Sequence, residues 1–115
     1  MRAIGRLPFL SLAGLAVVVE GERVATGADG SGCTMAGTVR NPNAVMVTVR
    51  LAWRGLDAAG TTLGLATARI PRVRPGEGRP FVSSPFVVLG TGQVVADCAS
   101  IPRVERVEAS GDALP

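Results

Sequence analysis

The chain has 115 residues, enough for one domain. It holds no His, Tyr or Lys, so its twelve basic residues are all Arg, against nine acids, for a formal charge of +3. That census excludes Ser-His and Cys-His nucleophile pairs, His-ligated metal sites and lysine Schiff-base chemistry. With Phe9, Trp53, Phe81 and Phe86 as its only aromatic side chains, a nucleic-acid partner stacked on aromatic platforms is not expected either.

Arg2 and Arg6 precede thirteen uncharged residues, Leu7 to Val19, closed by Glu20. A basic start and an apolar run of this length match the first two regions of a secretory signal. The run is too short for a membrane span, which takes about 20 residues. The nearest small-x-small stretch, Thr26-Gly27-Ala28, comes only after the charged Gly21-Glu22-Arg23. Leu15-Ala16-Val17-Val18-Val19 is also β-branched enough to be a first strand, with Glu20-Gly21-Glu22-Arg23 as a turn. Both readings stay open. Residues 1–20 form an apolar segment of signal, anchor or strand character, 21–109 the domain, and 110–115 a frayed tail.

Sixteen Val against ten Leu, with fifteen Gly and eight Pro as punctuation, favour an all-β chain of short strands. Cys33-Thr34-Met35-Ala36-Gly37-Thr38-Val39 opens the domain as a strand, and Asn41-Pro42-Asn43 turns it into the next as a hairpin. From Ala44 to Arg54 alternation is strict. Val45, Val47, Val49, Leu51 and Trp53 share a face to be buried, and Met46, Thr48, Arg50, Ala52 and Arg54 share a solvated one. Asp57-Ala58-Ala59-Gly60 is a turn, and Thr61 to Ile70 is a strand weakened by Gly64. Pro71 to Pro80 is a Pro/Gly/Arg connection. Phe81 to Leu89 resumes β character with Pro85 at an edge or bulge. Gly90-Thr91-Gly92 leads into a strand from Gln93 to Cys98. Ser100 to Ala109 fits either a short helix, through Ile101, Val104 and Val107, or a last strand, which a sandwich needs to fill its edge. Seven strands at intervals of roughly 8–12 residues match an immunoglobulin-like antiparallel β-sandwich.

Sixty-four residues lie between Cys33 and Cys98, so neither a CxxC motif nor zinc-knuckle spacing exists. They are either free structural thiols or one long-range disulfide. Their positions, one opening a strand and one closing another, favour the bridge and with it an oxidising compartment.

Gly37-Thr38-Val39-Arg40-Asn41-Pro42, the alternating strand to Trp53, Asp57-Ala58-Ala59-Gly60, Arg74-Pro75-Gly76-Glu77 and Phe81 together resemble the FxLYD-type domain. There a G-x-V-x-N strand precedes a long alternating strand ending in an aromatic-x-aspartate-x-x-glycine turn, with a Pro-Gly-Glu turn and a Phe downstream. The likeness spans Val17 to Ala109. Here Leu51-Ala52-Trp53 replaces the aromatic pair, and Gly55-Leu56 intervenes before Asp57. The resemblance implies a small bacterial domain outside the cytoplasm, without known catalysis, common in lipoproteins and envelope proteins.

The segment from Arg69 to Arg79 is the most unusual. It carries Arg69, Arg72, Arg74 and Arg79 against Glu77 alone, a local charge of +3. Arg72 and Arg74 on one side of an extended, proline-stiffened segment suit an anionic partner. A solvated loop that guards a sheet edge is the plainer alternative. Asp57, Asp97, Glu105 and Glu108 are isolated, and Gly90-x-Gly92 is too short for a phosphate loop. No catalytic residue, metal ligand or cofactor site is expected. The leading expectation is a non-catalytic extracytoplasmic module for protein–protein interaction or structural support, using a sheet edge or the arginines. The next is an accessory subunit of a membrane complex, filament or virion, docked or membrane-associated through residues 7–19. The weakest is an arginine-mediated binder of an anionic polymer or lipid.

Overall fold

The alternation read along Ala44 to Arg54 is a buried face from Val47 onward. Val47, Val49, Leu51 and Trp53 are each 1% exposed or less; on the other face Arg50 is solvated, but Thr48, expected beside it, is buried. The computed structural model describes residues 14–27 and 32–114. Among these, seven strands form: β1 (Val18–Thr26), β2 (Cys33–Arg40), β3 (Val47–Leu56), β4 (Thr62–Val73), β5 (Gly78–Val82), β6 (Val87–Val88) and β7 (Arg103–Ala113). They make two antiparallel sheets, β1-β2-β5 and β6-β4-β3-β7, packed as a β-sandwich. The core between them takes Cys33, Met35 and Val39 from β2 and Phe81 from β5. Across from these stand the β3 face and Ala66, Ile70 and Val73 of β4, with Phe86 and Ile101 between. Trp53 stacks on Phe81 at a centroid distance of 5.6 Å.

Several strands fall elsewhere than their residues indicate. β2 and β3 are not a hairpin: β2 pairs with β1 and β5, and β3 with β4 and β7. Each has an apolar face with inward side chains, and two such faces bury more by opposing one another across the core than by lying side by side. The connection from Asn41 to Met46 therefore crosses between sheets, and Val45 lies on it, 41% exposed and not in the core. Glu20 to Arg23 is not a turn but an irregularity within β1, with Gly21 at φ +65°.

β4 runs on through Pro71 to Val73, and β5 begins at Gly78, so the long connection shrinks to Arg74–Glu77. Phe81 to Leu89 divides into two strands of different sheets, because the chain leaves β5 at Ser83 and crosses. Ser83 N–H donates to Met35 O on one sheet and Ser84 N–H to Thr67 O on the other, both at 2.8 Å. Gly64 stands within β4, beside a register shift between Gly55 and Leu56 of β3. It admits β6, since a β-carbon there would stand 2.7 Å from the Val87 carbonyl oxygen. Gln93 to Cys98 is no strand. It contributes one bridge, Val94 to Val87, and ends in a 3₁₀ turn, Cys98–Ser100, capped by Asp97.

Ser100 closes the 3₁₀ turn, the stretch from Arg103 to Ala109 is strand and not the short helix, and β7 continues to Ala113, so residues 110–113 are not frayed. Gly111 is buried and exchanges two 2.8 Å backbone hydrogen bonds with Leu15. That bridge places Leu15 in the fold, and strands thus extend beyond both ends of 21–109. The apolar run up to Ala13, Phe9, and Ala28 of the small-residue stretch lie outside the described residues.

Cys33 and Cys98 form a disulfide, with 4.9 Å between their α-carbons. It ties the start of β2 to the 3₁₀ turn at one pole of the sandwich. Asn41 organises the opposite pole. It is fully buried, and its Nδ2 donates to Val45 O (2.8 Å) and Val73 O (2.9 Å). Its Oδ1 accepts from the Asn43 amide at 2.9 Å. Gly76 N–H donates to Asn41 O at 2.7 Å, which joins the Arg74–Glu77 turn to the same pole.

Candidate functional site

The groove at the Asn41 pole grows from a bulge. β3 places Thr48 between Val47 and Val49, while β4 places Pro71 and Arg72 between the partners Ile70 and Val73. The extra residue is Arg72, the one non-glycine at positive φ (58°) among the described residues. Such a conformation costs about 1 kcal/mol for a residue with a β-carbon. It leaves the carbonyls of Pro71 and Arg72 free of the ladder, and Arg79 takes both, Nη1 to Pro71 O at 2.5 Å and Nη2 to Arg72 O at 2.6 Å. Arg79 belongs to β5, so this side chain staples one sheet to the other on the β4/β5 side.

Glu77 completes the arrangement. Its Oε1 accepts from the Arg74 amide at 2.8 Å and its carboxylate faces the Arg79 guanidinium at 3.2 Å. The Arg74 amide, against some desolvation, and then the Arg79 guanidinium hold the Glu77 carboxyl below the ordinary value of 4.5. A depressed carboxylate contributes stability above its unfolded pKa and loses it as pH falls through the folded one. The Arg74–Glu77 turn is therefore expected to hold at neutral pH and loosen only on the acid side of 4.5. Glu77→Gln should remove that dependence, read as amide exchange at Arg74 across an acid titration; exchange at Arg74 that ignores both pH and the substitution would contradict it.

The four arginines singled out from the sequence thus separate. Arg79 is committed to Glu77 and the two carbonyls. Arg69 lies on the outer face of the four-stranded sheet, cross-strand from Arg50, away from the groove. Arg72 and Arg74 line the groove with Met46, Pro71, Glu77 and Arg79, and both are exposed. They share it because the bulge and turn curl around Arg79, not because the segment is extended. Among the described residues, no carboxylate lies within 4.0 Å of either guanidinium, whereas Arg40, Arg50, Arg54 and Arg106 have Glu20, Asp112, Glu105 and Glu22.

Two features were not read from the sequence. Met46 enters the groove wall because the Asn41 lock swings its loop outward; the uncharged run from Asn41 to Val49 was the available signal. Glu22 bridges the sheets on the side opposite Arg79. Its Oε2 accepts from the buried Trp53 indole N–H at 2.6 Å and its Oε1 from Arg106 at 2.6 Å. Nothing local to Glu22 marks this, beyond the rule that a buried indole N–H needs an acceptor.

The isolated carboxylates have structural partners. Asp57 accepts from the Ala59 and Thr61 amides, Asp97 caps the 3₁₀ turn, Glu105 pairs with Arg54 and Glu108 accepts from Ser110. Among the described residues no group of three His, Cys, Asp or Glu is placed to hold a metal ion.

The sheet edges are blunted. β5 has five residues and carries Pro80, β6 has two, and β1 is interrupted at Gly21–Glu22. β7 has a register shift opposite Ala52–Trp53 and is covered by Leu15 near its end. Such edges resist strand addition. Comparison with protein-family models, with curated proteins and with solved structures finds no match.

Proposed function

We propose that the chain is a non-catalytic, extracytoplasmic, immunoglobulin-like module that holds a partner of negative charge through the groove at the Asn41 pole. The observation that carries this reading is the pair of exposed, unpartnered guanidiniums, Arg72 and Arg74, beside an Arg79–Glu77 pair whose charge is already cancelled. The backbone that carries them is held by the hydrogen bonds of the Arg74–Glu77 turn and by Arg79, which reduces the ordering left to binding. The extracytoplasmic assignment is supported by the Cys33–Cys98 disulfide, which persists in oxidising compartments. The immunoglobulin-like reading is supported by strand neighbours, since β1-β2-β5 and the β3–β7 pair match the A-B-E and C-F pairings of such sandwiches.

Affinity capture from the envelope fraction of the source organism tests this reading. The wild-type protein is expected to retain a partner that elutes as salt is raised. Arg72→Glu with Arg74→Glu should weaken retention by about tenfold or more while leaving the thermal melt unchanged. Equal retention by the variant would remove the groove from the function.

A further inference from the structure

The groove lies at the pole where the chain enters the fold. Leu15 pairs with Gly111, Asn43 Nδ2 donates to Ala16 O at 2.8 Å, and Leu114 N–H donates to Met46 O at 3.0 Å. Gly14 and the Asn41–Met46 loop therefore share one end of the sandwich, with the Arg74–Glu77 turn hydrogen-bonded to that loop. At its tip Val45 and Met46 are 41% and 37% exposed, within a run from Asn41 to Val49 that has no charge.

We propose that this pole docks on an anionic phospholipid surface, with Val45 and Met46 in the interfacial layer and Arg72 and Arg74 on the headgroup phosphates. The inference rests on the groove as an anion-binding surface and adds its partner. An acidic protein would use the two arginines but would give the bare Val45-Met46 tip no role; a bilayer interface uses both, as apolar area and cations act together there. The sequence attached to the pole points the same way. Residues 1–13 contain Arg2, Arg6 and the start of the apolar run, with no acid. Leu15 to Val19 of that run belong to the sandwich. The remaining apolar residues, Leu7 to Ala13, are too few to span and give only marginal membrane binding by themselves, so that a second, cationic contact is what makes such binding stable. The Asn41 hydrogen bonds hold the tip in place beforehand, so docking orders little.

Sedimentation of the full chain with vesicles provides the test, using phosphatidylcholine alone and phosphatidylcholine mixed with phosphatidylglycerol. Wild-type protein is expected to sediment with the mixed vesicles only, and less as salt rises. Arg72→Gln with Arg74→Gln should bind about 25-fold more weakly, at roughly fivefold per arginine. Val45→Ser with Met46→Ser should lose on the order of tenfold. Both variants keep residues 1–13 and the Asn41 lock, and unchanged thermal melts would show that they fold. Wild-type affinity in either variant would assign binding to residues 1–13 and overturn the proposal, as would equal binding to uncharged vesicles. Absence of vesicle binding together with arginine-dependent capture of an acidic protein would overturn the lipid partner and leave the groove standing. Loss of both would remove the groove as well.

Discussion

Replacing Trp53 with alanine is expected to destabilise the fold by about 4 kcal/mol, since the large cavity left by a buried aromatic costs roughly 3–5 kcal/mol. Trp53 is 0% exposed, stacks on Phe81, and gives its indole N–H to Glu22 at 2.6 Å. The substitution therefore removes core volume and also the donor that holds a carboxylate across the open side of the sandwich. For a domain stable by about 5–15 kcal/mol, the loss is a large fraction of the total and brings a domain at the low end of that range close to its unfolding threshold. Trp53→Phe separates the two effects. It retains most of the apolar contact and loses the hydrogen bond, so its cost should fall to about 1.5–3 kcal/mol, the range for a hydrogen bond to a charged group. Chemical denaturation of the two variants beside Glu22→Gln measures both. A Trp53→Ala loss below about 1 kcal/mol would be incompatible with a core position.

Removing the Cys33–Cys98 disulfide has a comparable expected effect through a different state of the chain. The bridge closes a loop between positions 65 apart, and in the chain-entropy model such a loop stabilises by about 4 kcal/mol through the unfolded ensemble. Cys33→Ala with Cys98→Ala, or reductant on the native protein, should lower the melting temperature by about 15–20 °C. Alkylation followed by mass measurement provides an independent reading. No thiol should label before reduction and both should label after it. Two reactive thiols in the untreated native protein, or a melt indifferent to reductant, would contradict the bridge. The groove lies at the other pole, so a reduced protein examined below its melting temperature should keep Arg72 and Arg74 in place.

Some of this was legible from residues alone, and the reasons differ from place to place. The inward face of β3 shows as alternation from Val47 to Trp53 because a strand repeats every two residues. Asn41-Pro42-Asn43 reads as a turn correctly but as a hairpin wrongly, since the same turn residues serve a connection within a sheet or between sheets. Pro71 reads as loop because it has no N–H to give. In the fold it stands beside the Arg72 bulge, where the ladder does not require that donor. Ser110-Gly111-Asp112 reads as a tail because the residues are small and polar. They are strand because Arg50, Val49 and Thr48 pair with them.

The same division runs through the groove. The density of arginine between Arg69 and Arg79 is a property of composition, and so is the want of acids to match it. Which guanidiniums remain free is not. Arg79 is spent on two carbonyls left outside the strand pairing by the Arg72 bulge in the other sheet, and Arg69 is carried to an outer face by its register with Arg50.

The sequence by itself determined the all-β character, through periodicity and turn residues, and the lack of His and Lys chemistry, through composition. These are local or additive properties, carried by each segment without reference to the others. Tertiary structure alone decided which sheet each strand joins, that Trp53 and Glu22 meet, and that Arg72, Arg74 and Met46 share one surface. Those outcomes follow from burying apolar faces and satisfying polar groups between residues tens of positions apart, where no short-range pattern specifies the partner.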